Sequence, residues 1–295
     1  MSFALQRCCT TPVFLKQYEI STDALLKKLE VEFVDIKEFG CCGYPLKNVD
    51  QGAYLLSSAK NLALAEKKAH HILTFCNCCY GSLKHAAHIL QEDSFAREDI
   101  NKKLRKEGLE YSGRVEVRHL LEILHHEIGI ERLKEKIVKP FQDLKIATQY
   151  GCHLLRPRKI MKFDNPLSPA IFDRLVEVTG AESIPWPRKQ ECCGAPLWGI
   201  NDELSMDLTE KKIRAAKEAG ADYLCNACPY CQLQFDRVQR LHIAKRKGFP
   251  VLPPILYPQL LGLSMGMEPE ALGIGQNELD IREIPSFQSS RACTA

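Results

Sequence analysis

Cys41-Cys42-Gly43-Tyr44-Pro45-Leu46 recurs further along the chain as Cys192-Cys193-Gly194-Ala195-Pro196-Leu197. Working outward from the two copies brings more into line. Phe3-Ala4-Leu5-Gln6-Arg7-Cys8-Cys9 runs parallel to Ile146-Ala147-Thr148-Gln149-Tyr150-Gly151-Cys152. Each copy is followed by a C-x-x-C, Cys76–Cys79 and Cys228–Cys231. The step from Cys42 to Cys76 is 34 residues and that from Cys193 to Cys228 is 35. Three landmarks in one order at near-constant spacing identify an internal duplication.

Within each half, strand and helix alternate. A strand is expected to end near Cys9 or Cys152, followed by an amphipathic helix over Thr22–Leu29 or Pro169–Val178 with apolar steps of three and four. A second strand (Val31–Ile36; Ala181–Pro185) leads to the Cys-Cys-Gly turn. Long helices follow over Asp50–His70 and Glu203–Gly220, the latter closed by Gly220 as a left-handed cap. A third strand (His71–Phe75; Asp222–Cys225) delivers the C-x-x-C. The fold class expected is α/β, two pseudo-symmetric halves each built on a parallel sheet. Ligands of such sheets collect at the carboxyl ends of the strands, where all the clustered cysteines fall.

The boundaries expected are 1–140 for the first half, 141–277 for the second and 278–295 for a C-terminal tail. Lys139-Pro140-Phe141-Gln142 marks the join, after a charged helix over Ile130–Lys136. The charge-dense stretch Asp93–Arg118 reads as a solvated insertion. Asn277–Ala295 lacks periodicity and reads as an extended tail, either a docking strap or a frayed terminus.

Composition narrows the function. The 295 residues carry a formal charge of +3, too balanced for nucleic acid or an anionic membrane as the main partner. The start, Met1-Ser-Phe-Ala-Leu-Gln-Arg-Cys-Cys, has no long apolar core, so no secretory signal is expected. Pro250–Met267 is interrupted by prolines and is not a membrane span. A cytoplasmic location follows as the expectation, where disulfides do not persist. The 14 cysteines are therefore read as metal-binding thiols.

Counting from Cys9 and Cys152, the halves read C-x31-CC-x33-CxxC and C-x39-CC-x34-CxxC. Zinc takes four tetrahedral ligands, which leaves a fifth thiolate over in each half. Adjacent cysteines are awkward on one small ion, whereas two irons some ångströms apart can each take one. Soft thiolates with a vicinal pair favour an iron–sulfur cluster over zinc. A ferredoxin run is excluded: after Cys225, Cys228 and Cys231 the next cysteine would fall at position 235, which is Phe235. No flavin or nucleotide site is expected.

At these residues the chain resembles the tandem Cys-Cys-Gly, or cysteine-rich, domains of the B subunit of heterodisulfide reductase (the HdrB family). The resemblance spans residues 1–277 and takes in Tyr150-Gly-Cys-His153, Arg156-Pro157, Cys192-Cys-Gly-Ala-Pro-Leu197 and Cys228-Pro-Tyr-Cys231. It implies two noncubane 4Fe–4S clusters, one per half. Carried over position by position, the ligands would be Cys9, Cys41, Cys42, Cys76 and Cys79, then Cys152, Cys192, Cys193, Cys228 and Cys231. The first motif departs from the pattern, with Arg7-Cys8-Cys9 where glycine usually precedes the cysteine. Cys9 aligns with Cys152 and is taken as the ligand, Cys8 as its neighbour. Arg-Cys-Cys resembles the bacterial and archaeal sulfur-oxidation branch more than the methanogen enzyme. Wider relatives, the iron–sulfur subunits of lactate, glycolate and glycerol-3-phosphate oxidation, usually add ferredoxin cysteines that are absent here.

The remaining thiols Cys78 and Cys225, one or three residues from ligands, read either as alternate ligands or, in preference, as small buried residues, and Cys293 as incidental. His153, next to a ligand, is either a proton donor to a thiolate product or a packing histidine. Trp186 and Trp198 read as packing.

The resemblance implies an oxidoreductase subunit that reduces a disulfide, or in reverse oxidises a thiol or persulfide, between two clusters. Its substrate is a disulfide or thiol, small or protein-bound. Its partners would be an HdrC-like ferredoxin subunit together with an HdrA-like flavoprotein. The alternative is a non-catalytic electron-transfer subunit of a flavin-dependent 2-hydroxy-acid dehydrogenase. A third is a zinc-stabilised scaffold.

Overall fold

The computed structural model describes residues 2–243 and 245–288. They form two four-stranded sheets, parallel throughout, with the same connectivity. The first has the order β2-β1-β3-β4, from β1 (Phe3–Gln6), β2 (Phe33–Val34), β3 (His71–Thr74) and β4 (Val117–His119). The second repeats it as β6-β5-β7-β8, from β5 (Lys145–Gln149), β6 (Glu182–Ser183), β7 (Tyr223–Asn226) and β8 (Pro254–Leu256). Leu5 pairs with Leu73 in one sheet as Thr148 pairs with Cys225 in the other, so the duplication extends to register. The expected α/β class is what the chain adopts.

Helices α1 (Lys16–Lys28), α2 (Gln51–Lys67), α3 (Asn77–Glu92) and α4 (Ser94–Leu104) belong to the first half. In the second, α5 (Ile171–Val178), α6 (Asp202–Glu218) and α7 (Pro229–Leu233) cover the sheet, and α8 (Tyr257–Ser264) follows β8. Side-chain caps set the start of the two long helices: Asp50 accepts the Ala53 N–H and Asn201 that of Leu204. Gly220 ends α6 at φ 91°, as expected of a left-handed cap. On α5, Ile171, Phe172, Leu175 and Val176 are buried, each contributing about 1.5–3 kcal/mol relative to exposure. All of α8 is buried and packs against α1 of the other half, so this apolar segment is covered within the fold. Among the described residues, no helix is long and apolar enough to cross one.

Three expectations are corrected. Asp93–Arg118 is no solvated insertion: it supplies α4 and leads through the buried Val115 into the edge strand β4, where Val117 is buried and pairs with Ile72 of β3. The second strands shrink to two residues each, because the chain leaves the sheet early to reach the Cys-Cys-Gly turn. The stretch after Asn277 is packed as far as Gln288. The Asp236 carboxylate accepts the N–H groups of Glu278 (2.9 Å) and Leu279 (2.7 Å), and Ile281 and Ile284 are buried. Cys293 lies outside the described residues.

Candidate metal centre

Cys8 and Cys9 follow β1, Cys76 and Cys79 follow β3, Cys152 follows β5, and Cys228 and Cys231 follow β7; the Cys-Cys-Gly pairs come after β2 and β6, and sulfurs of both halves meet in one seam. Cys76 caps α3 and Cys228 caps α7, which sets each C-x-x-C on a first helical turn, where residues i and i+3 share a face. The Cys79 N–H donates to Cys76 Sγ at 3.4 Å.

Both Cys-Cys-Gly turns are held in the same way. Gly43 (φ 81°) and Gly194 (φ 95°) turn the chain in the left-handed region. Their N–H groups donate to Cys41 Sγ and Cys192 Sγ, both at 3.4 Å. Beneath each turn a hydroxyl from the long helix donates to the second cysteine's carbonyl: Ser58 to Cys42 at 2.6 Å, Thr209 to Cys193 at 2.8 Å. One helical turn further on, the halves differ. Asn61 donates to the Gly40 and Cys41 carbonyls, whereas the matching Lys212 donates its ammonium protons to the Arg188 and Glu191 carbonyls. Burial pulls Lys212 down to about 8, against the attraction of Cys193 and Cys231, which leaves it cationic at neutral pH.

The thiols fall into matching sets. Hydrogen bonds from Cys42 and Cys9 bring Cys41 well below the usual thiol range, and those from Cys152 and Cys193 do the same for Cys192. Their donors Cys9, Cys42, Cys152 and Cys193 are pushed up in return. Cys42 and Cys193 also neighbour Cys79 and Cys231 respectively. The structure thus brings all five predicted residues of each half together: Cys9, Cys41, Cys42, Cys76 and Cys79, and Cys152, Cys192, Cys193, Cys228 and Cys231.

Two thiols that the sequence ranked behind the ligands lie among them. Cys8 is buried, and its sulfur lies with those of Cys76 and Cys79, all within 4.8 Å of one another. Cys9 is exposed and turns to Cys41. The sulfurs of Cys76, Cys78 and Cys228 form a second group within 4.8 Å, with members from both halves. No pattern along the chain joins Cys78 to Cys228. All the described cysteines are free thiols. A donor set of clustered, soft, mostly buried sulfurs fits an iron–sulfur group.

His153 Nδ1 is 3.2 Å from Cys152 Sγ, and α3 packs closely over it at Gly81. Burial, with Lys47 nearby, holds the imidazole below its ordinary range. The Tyr44 ring meets His153 edge-on at 5.0 Å and Tyr230 at 5.8 Å, so two tyrosines and a histidine line the seam. Trp186 packs as expected, its indole N–H on the Thr148 carbonyl at 3.0 Å. Trp198 stacks near His242, away from the cysteines.

The family model described as "CCG: Cysteine-rich domain" matches residues 3–84 and 146–236, once per half. The chain is 41% identical to the B subunit of the ferredoxin/F(420)H(2)-dependent CoB-CoM heterodisulfide reductase of Methanosarcina acetivorans, over 94% of this chain and 93% of that protein. It is 34% identical to the 8-methylmenaquinol:fumarate reductase membrane anchor subunit of Wolinella succinogenes, over 90% of this chain and 92% of that one. A solved structure of a hypothetical protein from Helicobacter pylori shares the fold, with a TM-score of 0.75 and 19% identity over 96% of this chain and 53% of that one.

Proposed function

The chain belongs to the cysteine-rich (CCG) domain family, among the proteins like the B subunit of heterodisulfide reductase, and from that membership we propose that it is the disulfide-handling iron–sulfur component of a heterodisulfide reductase-like complex. One observation carries the reading: two matched sets of thiols face each other across a single seam, with Cys76 and Cys228 in near contact. In this reading Cys9, Cys41, Cys42, Cys76 and Cys79 hold one noncubane 4Fe–4S cluster. Cys152, Cys192, Cys193, Cys228 and Cys231 hold the other. Such clusters, when bound, supply electrons singly and iron that can take a sulfur.

The chain's own residues do the rest. Reduction of a disulfide consumes two electrons and two protons and releases two thiols. Tyr44 and Tyr230 shape the seam and keep water out. His153, beside Cys152, holds a proton for a departing thiolate at Nδ1. Electrons come from an HdrC-like ferredoxin partner, itself joined to an HdrA-like flavoprotein, in a reducing, cytoplasmic setting. The domain limits 1–140 and 141–277 follow from the duplication, each half carrying one cluster. Residues 278–295 form the C-terminal segment.

Anaerobic metal analysis of the full chain tests this reading. About eight irons per chain, with EPR signals unlike a cubane's, are expected for two such clusters. Zinc instead of iron, or no metal, overturns it.

The likeness to a fumarate reductase membrane anchor subunit favours a second reading, a subunit that relays electrons without acting on sulfur, as the electron-transfer subunit of a flavin-dependent 2-hydroxy-acid dehydrogenase would. The two part on one measurement. Reduced, iron-loaded protein cleaves a disulfide in the first case, and only passes electrons in the second.

A further inference from the structure

We propose that Cys78 is a sulfur ligand of the second-half centre, delivered across the seam by the first half. The inference rests on the iron–sulfur reading above. Cys78 lies between the two cysteines of the first C-x-x-C, on the opening turn of α3. At about 100° per residue, Cys76 and Cys79 share a face while Cys78 is turned away from it. The face it occupies looks into the other half. Its sulfur is within 4.8 Å of Cys228 Sγ, and it lines the same cavity as all five second-half cysteines.

A second observation points to a ligand there. Asn77 lines that cavity too, and is buried. Its amide nitrogen donates to the Tyr150 carbonyl at 2.9 Å, but its Oδ1 has no partner among the described residues. An orphaned buried oxygen beside six converging sulfurs is the mark of a site built around something.

The duplication supplies an internal contrast. The position matching Cys78 is Tyr230, between Cys228 and Cys231; it lines the same cavity and lies near Cys8, Cys9, Cys78 and Cys76 of the first half. The residue between the C-x-x-C cysteines is thus exchanged between halves, a thiol in one direction and a phenol in the other. A thiolate binds soft iron and a phenol far less readily. The exchange therefore gives the second centre six sulfurs where the family pattern supplies five. Cys225 shows what a merely buried thiol looks like here: burial raises it, with no contribution from another sulfur.

The test compares iron-loaded full-length wild type with Cys78→Ser, Cys78→Ala and Cys225→Ala, prepared anaerobically and followed by iron content, Mössbauer and EPR spectra. The second-half signal is the one that Cys193→Ala removes. Cys78→Ser is expected to keep most of its iron and to shift that signal, and Cys225→Ala to match wild type. Wild-type spectra in both Cys78 variants overturn the proposal. Should those variants fail to fold, anomalous scattering from wild-type crystals decides. Cys78 Sγ bonded to a second-half iron supports the assignment, and bonding to a first-half iron or to none overturns it. Absence of iron from wild type takes down the iron–sulfur reading and this proposal together, whereas an unligated Cys78 beside two intact clusters takes down this proposal alone.

Discussion

The sulfurs of Cys76 and Cys228, one from each half, lie within 4.8 Å of each other. Each caps the helix that follows the central strand of its own sheet. The duplication has therefore not produced two remote sites but one junction, entered from opposite sides by equivalent residues.

Substitution at that junction is expected to be felt on both sides. Cys228→Ser should remove or distort the second-half centre and also shift the first-half spectrum, whereas Cys193→Ala should affect the second half alone. Mössbauer spectra of the two variants check this. A first-half signal unmoved by Cys228→Ser would mean that the halves are insulated.

His153→Gln is expected to lower disulfide turnover about 100-fold, the ordinary scale of a lost acid–base group, with iron content unchanged. Burial holds the imidazole below its usual 6.5, so it is neutral at pH 7 and takes up a proton only as pH falls. Wild-type turnover should therefore rise on acidification through this range, and the variant's profile should be flat. Equal profiles would show that the imidazole only packs.

Gly194→Ala should cost about 3 kcal/mol or more. Part is backbone strain at φ 95°, about 1–2 kcal/mol. The remainder comes from a Cβ driven onto the Ser205 carbonyl oxygen. Gly199→Ala has a similar φ of 86° and open space around it, so it should cost the strain alone. Denaturant midpoints of the two variants separate the contributions.

His119 gives a pH dependence of stability with a definite sign. It is fully buried, its Nδ1 accepts the Leu121 N–H, and burial brings it down to about 3. The unfolded chain, titrating near 6.5, binds the proton first. The contribution is therefore complete above pH 6.5 and is lost as pH falls toward 3, at up to about 1.4 kcal/mol per pH unit. His119→Asn, which can still accept at the cap, should flatten the stability curve between pH 6.5 and 5, as read by urea titrations across that range. An unchanged slope would show that other groups carry the acid sensitivity.

Much of this was legible along the chain. The Cys-Cys-Gly turns, the C-x-x-C pairs and the strand ends recur at set spacing, because thiols that must meet leave little freedom in the segments between them. Gly43 and Gly194 could be read as turns for the same reason. The edge strands were harder. The alternation Val115-Glu116-Val117-Arg118 is a strand pattern hidden in a charged stretch, and Pro254-Ile255-Leu256 is obscured by its prolines. The exchange of Cys78 and Tyr230 was not legible at all, since it depends on how two halves dock and not on the order of residues within either. The same holds for Cys8: it stands where the second half has Gly151, and it turns inward while Cys9 faces out, beside an Arg7 that pairs with Asp23 and Asp35.

The pairing of Asn61 with Lys212 makes the junction lopsided. A neutral amide sits beneath the first Cys-Cys-Gly turn and a buried cation beneath the second. With little solvent to screen it, that charge is felt across the seam. Between these matching positions of two halves alike in every strand, one side chain thus makes the second turn the more attractive to negative charge, and an exchange of one residue on each of two matching helices would reverse that difference without a change of fold.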